Sequence, residues 1–251
     1  MKLTTPLVAS IGALLLVGAI FLSLFLSTTA YSPEEVEIPS GPTAPPESQE
    51  IAGKNLELVG GVEIDETNIQ RVIASLERAE SYSAKIVSRL YHGQDSSALA
   101  CRQTVKNGAY RVDWLNAAGA VERTELLYED AYYAWRSNTD TYFQGARGDF
   151  TTDQSAMLPT YETVCDLPAE QITGGALVQE NGALYLTADT KENGYVGVYK
   201  ISVETGMLCA ASFSQDGMMT RTVEVSIMEG EPADAMFVLP GEGAPVYGEE
   251  N

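Results

Sequence analysis

Leu99–Leu115 reads LACRQTVKNGAYRVDWL, and this stretch decides the fold. Asn107-Gly108 lies between two alternating runs. Such a pair is the strongest short-range hairpin signal, because both positions of a tight hairpin turn take a positive φ. On the second run Tyr110, Val112 and Trp114 share one face, while Arg111 and Asp113 face away. On the first, Leu99, Cys101 and Val105 share a face. The same pattern extends in both directions. Upstream, Tyr82–Tyr91 sets Ala84, Ile86 and Leu90 against Lys85 and Arg89. Downstream, Val121–Tyr128 and Ala131–Trp135 flank Glu129-Asp130, and Thr141–Gln144 follows.

A second meander begins at Ala176–Glu180, which pairs with Ala183–Asp189 across Asn181-Gly182. Tyr195–Val203 follows Asn193-Gly194, and Met207–Gln215 and Met218–Met228 flank Asp216-Gly217. Phe237-Val238-Leu239-Pro240 ends the regular part. About ten or eleven antiparallel strands on short turns define a mainly β (α+β) fold.

One helix is evident. Thr67 opens it, with Gln70 as a capping-box partner. Ile69, Val72, Ile73 and Leu76 follow at helical spacing, and Arg71, Glu77, Arg78 and Glu80 fill the other face. The spacing predicts a helix over roughly 67–80. Its apolar stripe needs a sheet to cover it. The expected architecture is therefore a curved antiparallel sheet or incomplete barrel, with this helix against the concave face. Gly145–Pro168 is irregular and long enough to be a lid or binding loop.

The first 30 residues set the compartment. Leu7–Leu26 is twenty residues without charge, enough to cross a bilayer core of about 30 Å as a helix. Lys2 precedes it. The following twenty residues, Tyr31–Glu50, hold five glutamates and no Lys or Arg, so the rule that positive charge stays inside puts the bulk of the chain outside. A cleaved signal peptide has a shorter apolar region, although Thr28-Thr29-Ala30 offers small residues for a cut. The length favours a retained single-pass anchor in the cell membrane. Residues 31–62 read as an acidic, Pro-rich tether, with five of the eleven prolines before Glu50. The domain is expected over 63–240, with a frayed tail at 241–251.

The formal net charge of −20 excludes attraction to nucleic acid or an anionic membrane surface. Export permits a disulfide among the three cysteines, Cys101, Cys165 and Cys209, but sequence does not assign a pairing.

The order of motifs resembles the outer-membrane lipoprotein carrier superfamily, the LolA/RseB-like fold, over Thr67–Pro240. A helix runs into Tyr82-Ser83-Ala84, and Gly108-Ala109-Tyr110-Arg111 follows. Then come the hairpin Tyr128–Trp135, Tyr199–Val203 leading to Thr205-Gly206-Met207-Leu208, and the closing Phe237–Pro240. The resemblance implies an incomplete β-barrel with a helix lid around an apolar cavity, in proteins that carry or sense lipidated or hydrophobic ligands or bind regulatory partners. A shuttle must diffuse, so a retained anchor points to a fixed sensor or binding module instead.

Little in the sequence points to catalysis. His92 is the only histidine and sits at a strand end beside Gly93. Asp149 and Asp153 lie in the irregular loop without a calcium-loop pattern around them. No phosphate-binding or dinucleotide glycine motif occurs. No catalytic residue, metal ligand or cofactor is assigned. The aromatic and thioether residues are the more informative set. Ile86, Tyr110, Trp114, Tyr133, Trp135, Met207 and Phe213 are the expected lining of an apolar cavity for a lipid-like ligand or a peptide partner. The alternative is a protein-interaction module whose core is filled by these same side chains.

Overall fold

The computed structural model describes residues 46–93, 95–148, 158–228 and 230–248. Leu7–Leu26, most of the Pro-rich stretch, Asp149 and Asp153 lie outside the described residues. Among the described residues no helix is long and apolar enough to cross a membrane.

The hairpins form where turn chemistry places them. Asn107 and Gly108 take φ of 49° and 75°, and the pairs at 181–182, 193–194 and 216–217 repeat this geometry. The strands are β1 (Tyr82–His92), β2 (Asp95–Lys106), β3 (Ala109–Leu115), β4 (Val121–Tyr128), β5 (Ala131–Arg136) and β6 (Phe143–Ala146). After the irregular segment come β7 (Ile172–Glu180), β8 (Ala183–Glu192), β9 (Tyr195–Ser202), β10 (Leu208–Gln215) and β11 (Met218–Met228). They make one antiparallel sheet of 11 strands, in the order β6-β5-β4-β3-β2-β1-β11-β10-β9-β8-β7. Two meanders are thus joined by the β1–β11 pair, in which Ile86 faces Val225. β6 and β7 are edges, so the sheet is open and no barrel closes.

Pairing fixes the two faces. Ile86 lies opposite Cys101, which lies opposite Trp114. On the other side Val223 lies opposite Ala211, and Ala211 opposite Tyr199. This row forms the floor of the main core. Ile69, Val72, Ile73 and Leu76 pack onto it.

The helix that carries them, α2 (Ile69–Ser75), is only 7 residues long and stops where Leu76 turns extended at ψ 136°. It is half the predicted length. Its last carbonyls are taken by Arg78, whose guanidinium donates to Ile73 O at 2.5 Å and to Leu76 O at 2.6 Å. The predicted capping box is replaced. Thr67 Oγ1 donates to Asp65 Oδ1 at 2.7 Å, and Gln70 instead reaches across the fold.

A second helix, α1 (Pro46–Gly60), occupies part of the stretch that reads as a tether and lead-in. Ile51, Asn55 and Val59 form its buried stripe. Asn55 sits in the middle of that stripe and breaks the apolar pattern. Its amide copies a backbone unit: Nδ2 donates to Glu77 O at 3.0 Å, and Oδ1 accepts from Glu77 N–H at 2.7 Å. A buried amide with both partners met is tolerated where an unpaired one would not be.

The opposite face of the sheet carries its own core of Ala109, Leu126, Phe237 and Leu239. The C-terminal segment covers it. Val246 N–H donates to Phe237 O at 3.0 Å, and Val238 bridges to Pro245. Residues 245–247 are therefore half-buried against this core, not frayed as expected, while 241–244 and 248 are exposed. Arg111 fixes this segment through Met236 O while holding Asp113 Oδ1 at 2.7 Å.

The three cysteines are free thiols, and the single disulfide that export permits does not form. They sit on β2, on the short helix α3 (Tyr161–Cys165) and on β10, each with separate surroundings. Burial pushes the Cys101 thiol up to about 12. Iodoacetamide added in denaturant without reductant is expected to modify three thiols per chain. Under native conditions Cys101 should stay unmodified, since only the thiolate reacts. Mass spectrometry showing one modified site in denaturant would establish a disulfide instead.

Candidate functional site

A cavity of about 410 Å³ lies between the helix-bearing face and the wall at Pro159–Glu162. Its floor comes from the strand joint itself. β1 supplies Ala84 and Ile86, β2 supplies Gln103 and Val105, β3 supplies Tyr110, and β11 supplies Val225. These positions fall together because the register sets Ala84 opposite Gln103 and Ile86 opposite Val225, with Val105 opposite Tyr110. Met207 and Leu208 close one end, and Arg78, Ala79 and Glu80 form the link between α2 and β1.

The wall is held by long-range hydrogen bonds. Gln70 Nε2 donates to Val164 O at 2.9 Å and Leu167 O at 2.8 Å, which satisfies carbonyls at the end of α3. Thr160 N–H donates to Thr163 Oγ1 at 3.0 Å at its start. Arg78 lies over the Tyr161 ring, 3.4 Å from its centroid, and also donates through Nε to Gly206 O at 2.9 Å. The described end of the irregular segment is thus an anchored wall.

The polar groups of the cavity sit beside its apolar floor. Gln103 Nε2 donates to the Tyr82 hydroxyl at 2.9 Å, which leaves that hydroxyl's proton unassigned. The Tyr110 hydroxyl has no hydrogen-bond partner among the described residues. Burial holds Tyr82 and Tyr110 in the neutral phenol form well beyond the usual tyrosine range, and the Glu162 carboxylate reinforces both shifts. Burial lowers the Arg78 guanidinium from its ordinary value.

Of the seven residues expected to line a cavity, Ile86, Tyr110 and Met207 line this one, and Tyr133 lines a separate hollow beside the C-terminal segment. Trp114 and Phe213 point to the same face but are spent in packing. Trp114 Nε1 donates to Glu125 Oε1 at 2.8 Å, and Phe213 meets Tyr199 edge-on at 5.5 Å between centroids. Tyr133 and Trp135 face the other way, into the cluster around Phe237. The β4–β5 register explains it. Leu127 is opposite both Tyr110 and Tyr132, so Tyr132 takes the helix-bearing face and its neighbours do not.

Sequence reasoning missed Tyr82, Gln103, Arg78 and the Tyr161-Glu162 pair. Tyr82 and Gln103 were recoverable, since each alternates in step with a floor residue. The other three depend on how the chain leaves α2 and enters α3. His92 is exposed at the end of β1. Among the described residues no group of three or more His, Cys, Asp or Glu could hold a metal ion.

The chain is an open antiparallel sheet with helices over one face and a cavity beside them. Several solved structures are similar to the chain. A LolA superfamily protein of Nitrosomonas europaea shares 10% identity, with 71% of this chain and 98% of that one covered at a TM-score of 0.33. LprF of Mycobacterium bovis shares 11%, covering 80% and 99% at 0.34. A conserved protein of Thermus thermophilus shares 10%, covering 76% and 91% at 0.39. No family model and no curated protein matches the chain.

Proposed function

We propose that this chain is a membrane-anchored, extracytoplasmic, non-enzymatic module that binds a hydrophobic or lipid-like ligand in the cavity over β1, β2, β3 and β11. The anchor is Leu7–Leu26, in a single pass with the bulk of the chain outside. The cavity carries the reading. Its volume of about 410 Å³ falls within the range of about 300–1,000 Å³ typical of small-molecule sites. Its floor of Ala84, Ile86, Val105 and Val225 offers apolar surface, whose burial is worth about 25 cal/mol per Å². The few polar groups beside it would orient a ligand, and the anchored wall at Pro159–Glu162 would bound its entrance.

One observation favours a second reading, a protein-interaction module with a self-filled core. Trp114 and Phe213 are consumed by their own neighbours.

Val225→Trp separates the two. Val225 is half-buried and faces the cavity, so the indole fills space without displacing a packed core residue. The uncharged dye Nile red is expected to bind the wild-type chain saturably. The variant should bind it at least about tenfold more weakly at an unchanged unfolding midpoint. Equal dye binding by both chains would remove the cavity from the function and leave the second reading.

A further inference from the structure

The cavity's charges specify what kind of amphiphile it takes, an inference that rests on the binding role just proposed. Three charged residues line it: Arg78, Glu80 and Glu162. The cation's donors are committed elsewhere, although its charge remains and interacts with Glu162. All of its nitrogens donate to carbonyls, Nε to Gly206 O, Nη1 to Leu76 O and Nη2 to Ile73 O, and its plane is stacked on Tyr161. The two carboxylates are exposed at the cavity's edge, and neither has an ion-pair partner among the described residues.

The carboxylates' field reaches inward. The charge of Glu162 acts on the phenols of Tyr82 and Tyr110 as well as on Tyr161, where Arg78 opposes it. Three tyrosines therefore line a site with two carboxylates and one guanidinium, whose charge is net negative. Aromatic rings next to carboxylates favour an organic cation over an anion, since ring faces and carboxylates both attract it. The chain's net charge of −20 acts in the same direction at longer range.

We infer that the ligand of this cavity is an amphiphile with an apolar tail and an ammonium head group, primary or quaternary. The tail would lie over Ile86, Val105 and Val225. The head would sit at the mouth between Glu80 and Glu162, against the tyrosines. An anionic head would meet two carboxylates there and a single cation whose donors are all taken.

The test is displacement of Nile red from the full chain by matched amphiphiles below their micelle concentrations, with the Val225→Trp chain as the blank for dye held outside the cavity. The probes are dodecyltrimethylammonium, dodecyl maltoside and dodecanoate, with tetramethylammonium as a head group lacking a tail. Dodecyltrimethylammonium is expected to displace the dye at about tenfold lower concentration than dodecyl maltoside. Dodecanoate should be weakest, and tetramethylammonium should not displace the dye at all. The preference should shrink in high salt. In the double variant Glu80→Gln, Glu162→Gln the ratio between the cationic and neutral amphiphiles should fall to about one. Equal displacement by the cationic and neutral probes would overturn the head-group assignment and leave the apolar cavity standing. A preference for dodecanoate would do the same. No difference in dye binding between wild type and the Val225→Trp blank would overturn both.

Discussion

Phe237→Ala is expected to destabilise the chain by about 3–5 kcal/mol, the range for truncating a buried aromatic. Phe237 is 0% exposed although it lies near the C-terminus. It packs with Ala109, Leu126 and Leu239 on the opposite face of the sheet, and Tyr247 covers it at 5.4 Å between ring centroids. The polar attachments of the same segment are weaker holds. Lys106 bridges Glu231 and Asp234, but those carboxylates are 71% and 60% exposed. Water and salt screen such pairs. Removing the ring therefore removes the main hold on residues 234–248 and uncovers Leu126, Tyr133 and Trp135 together. Urea unfolding followed by tryptophan emission would measure it, since Trp135 lies in this cluster. A loss under about 1 kcal/mol would mean that the segment is peripheral after all.

That expectation depends on a feature that the sequence hides. Val246 and Tyr247 are two apolar residues in a stretch rich in Gly and Glu, and nothing local distinguishes a packed strap from a frayed end. Phe237 is a near neighbour, but the strand residues that they cover, such as Leu126 and Tyr128, lie far upstream on β4. The same reason explains the misplaced aromatics. Alternation shows that Tyr133 and Trp135 share a face. Which face that is depends on the β4–β5 register, and Ala131–Trp135 carries no charge on either side. β1 to β3 were easier, because Lys85, Arg89, Arg111 and Asp113 mark the face away from the cavity. Helix α1 was hidden by Asn55, a polar residue at the centre of a buried stripe, made acceptable only by the Glu77 backbone more than twenty positions on. Strand order in each meander was legible because Asn-Gly and Asp-Gly turns fix their neighbours locally. The β1–β11 joint that builds the cavity floor has no local signal.

Gly206→Val is expected to cost about 2–4 kcal/mol and to weaken ligand binding as well. Gly206 has φ +69°, a conformation that a β-branched residue adopts only under strain. It is also crowded: a Cβ there would lie 2.6 Å from Glu77 O and 2.8 Å from Arg78 Cγ. Strain and crowding can be separated with a control. Gly182 has φ +85° with nothing within 4 Å of a Cβ, so Gly182→Ala reports the backbone strain alone. Gly206→Ala should exceed it, and the excess measures the close approach. Relief requires Glu77 to move, and Glu77 carries both hydrogen bonds that dock α1 through Asn55. Movement of Gly206 also disturbs its carbonyl's bond to Arg78, and Arg78 and Met207 both line the cavity. Stability and Nile red affinity should therefore fall together in Gly206→Val, whereas Gly182→Ala should change stability only. If Gly206→Ala and Gly182→Ala proved equal by chemical denaturation, the contact with Glu77 would be too loose to couple α1 to the cavity.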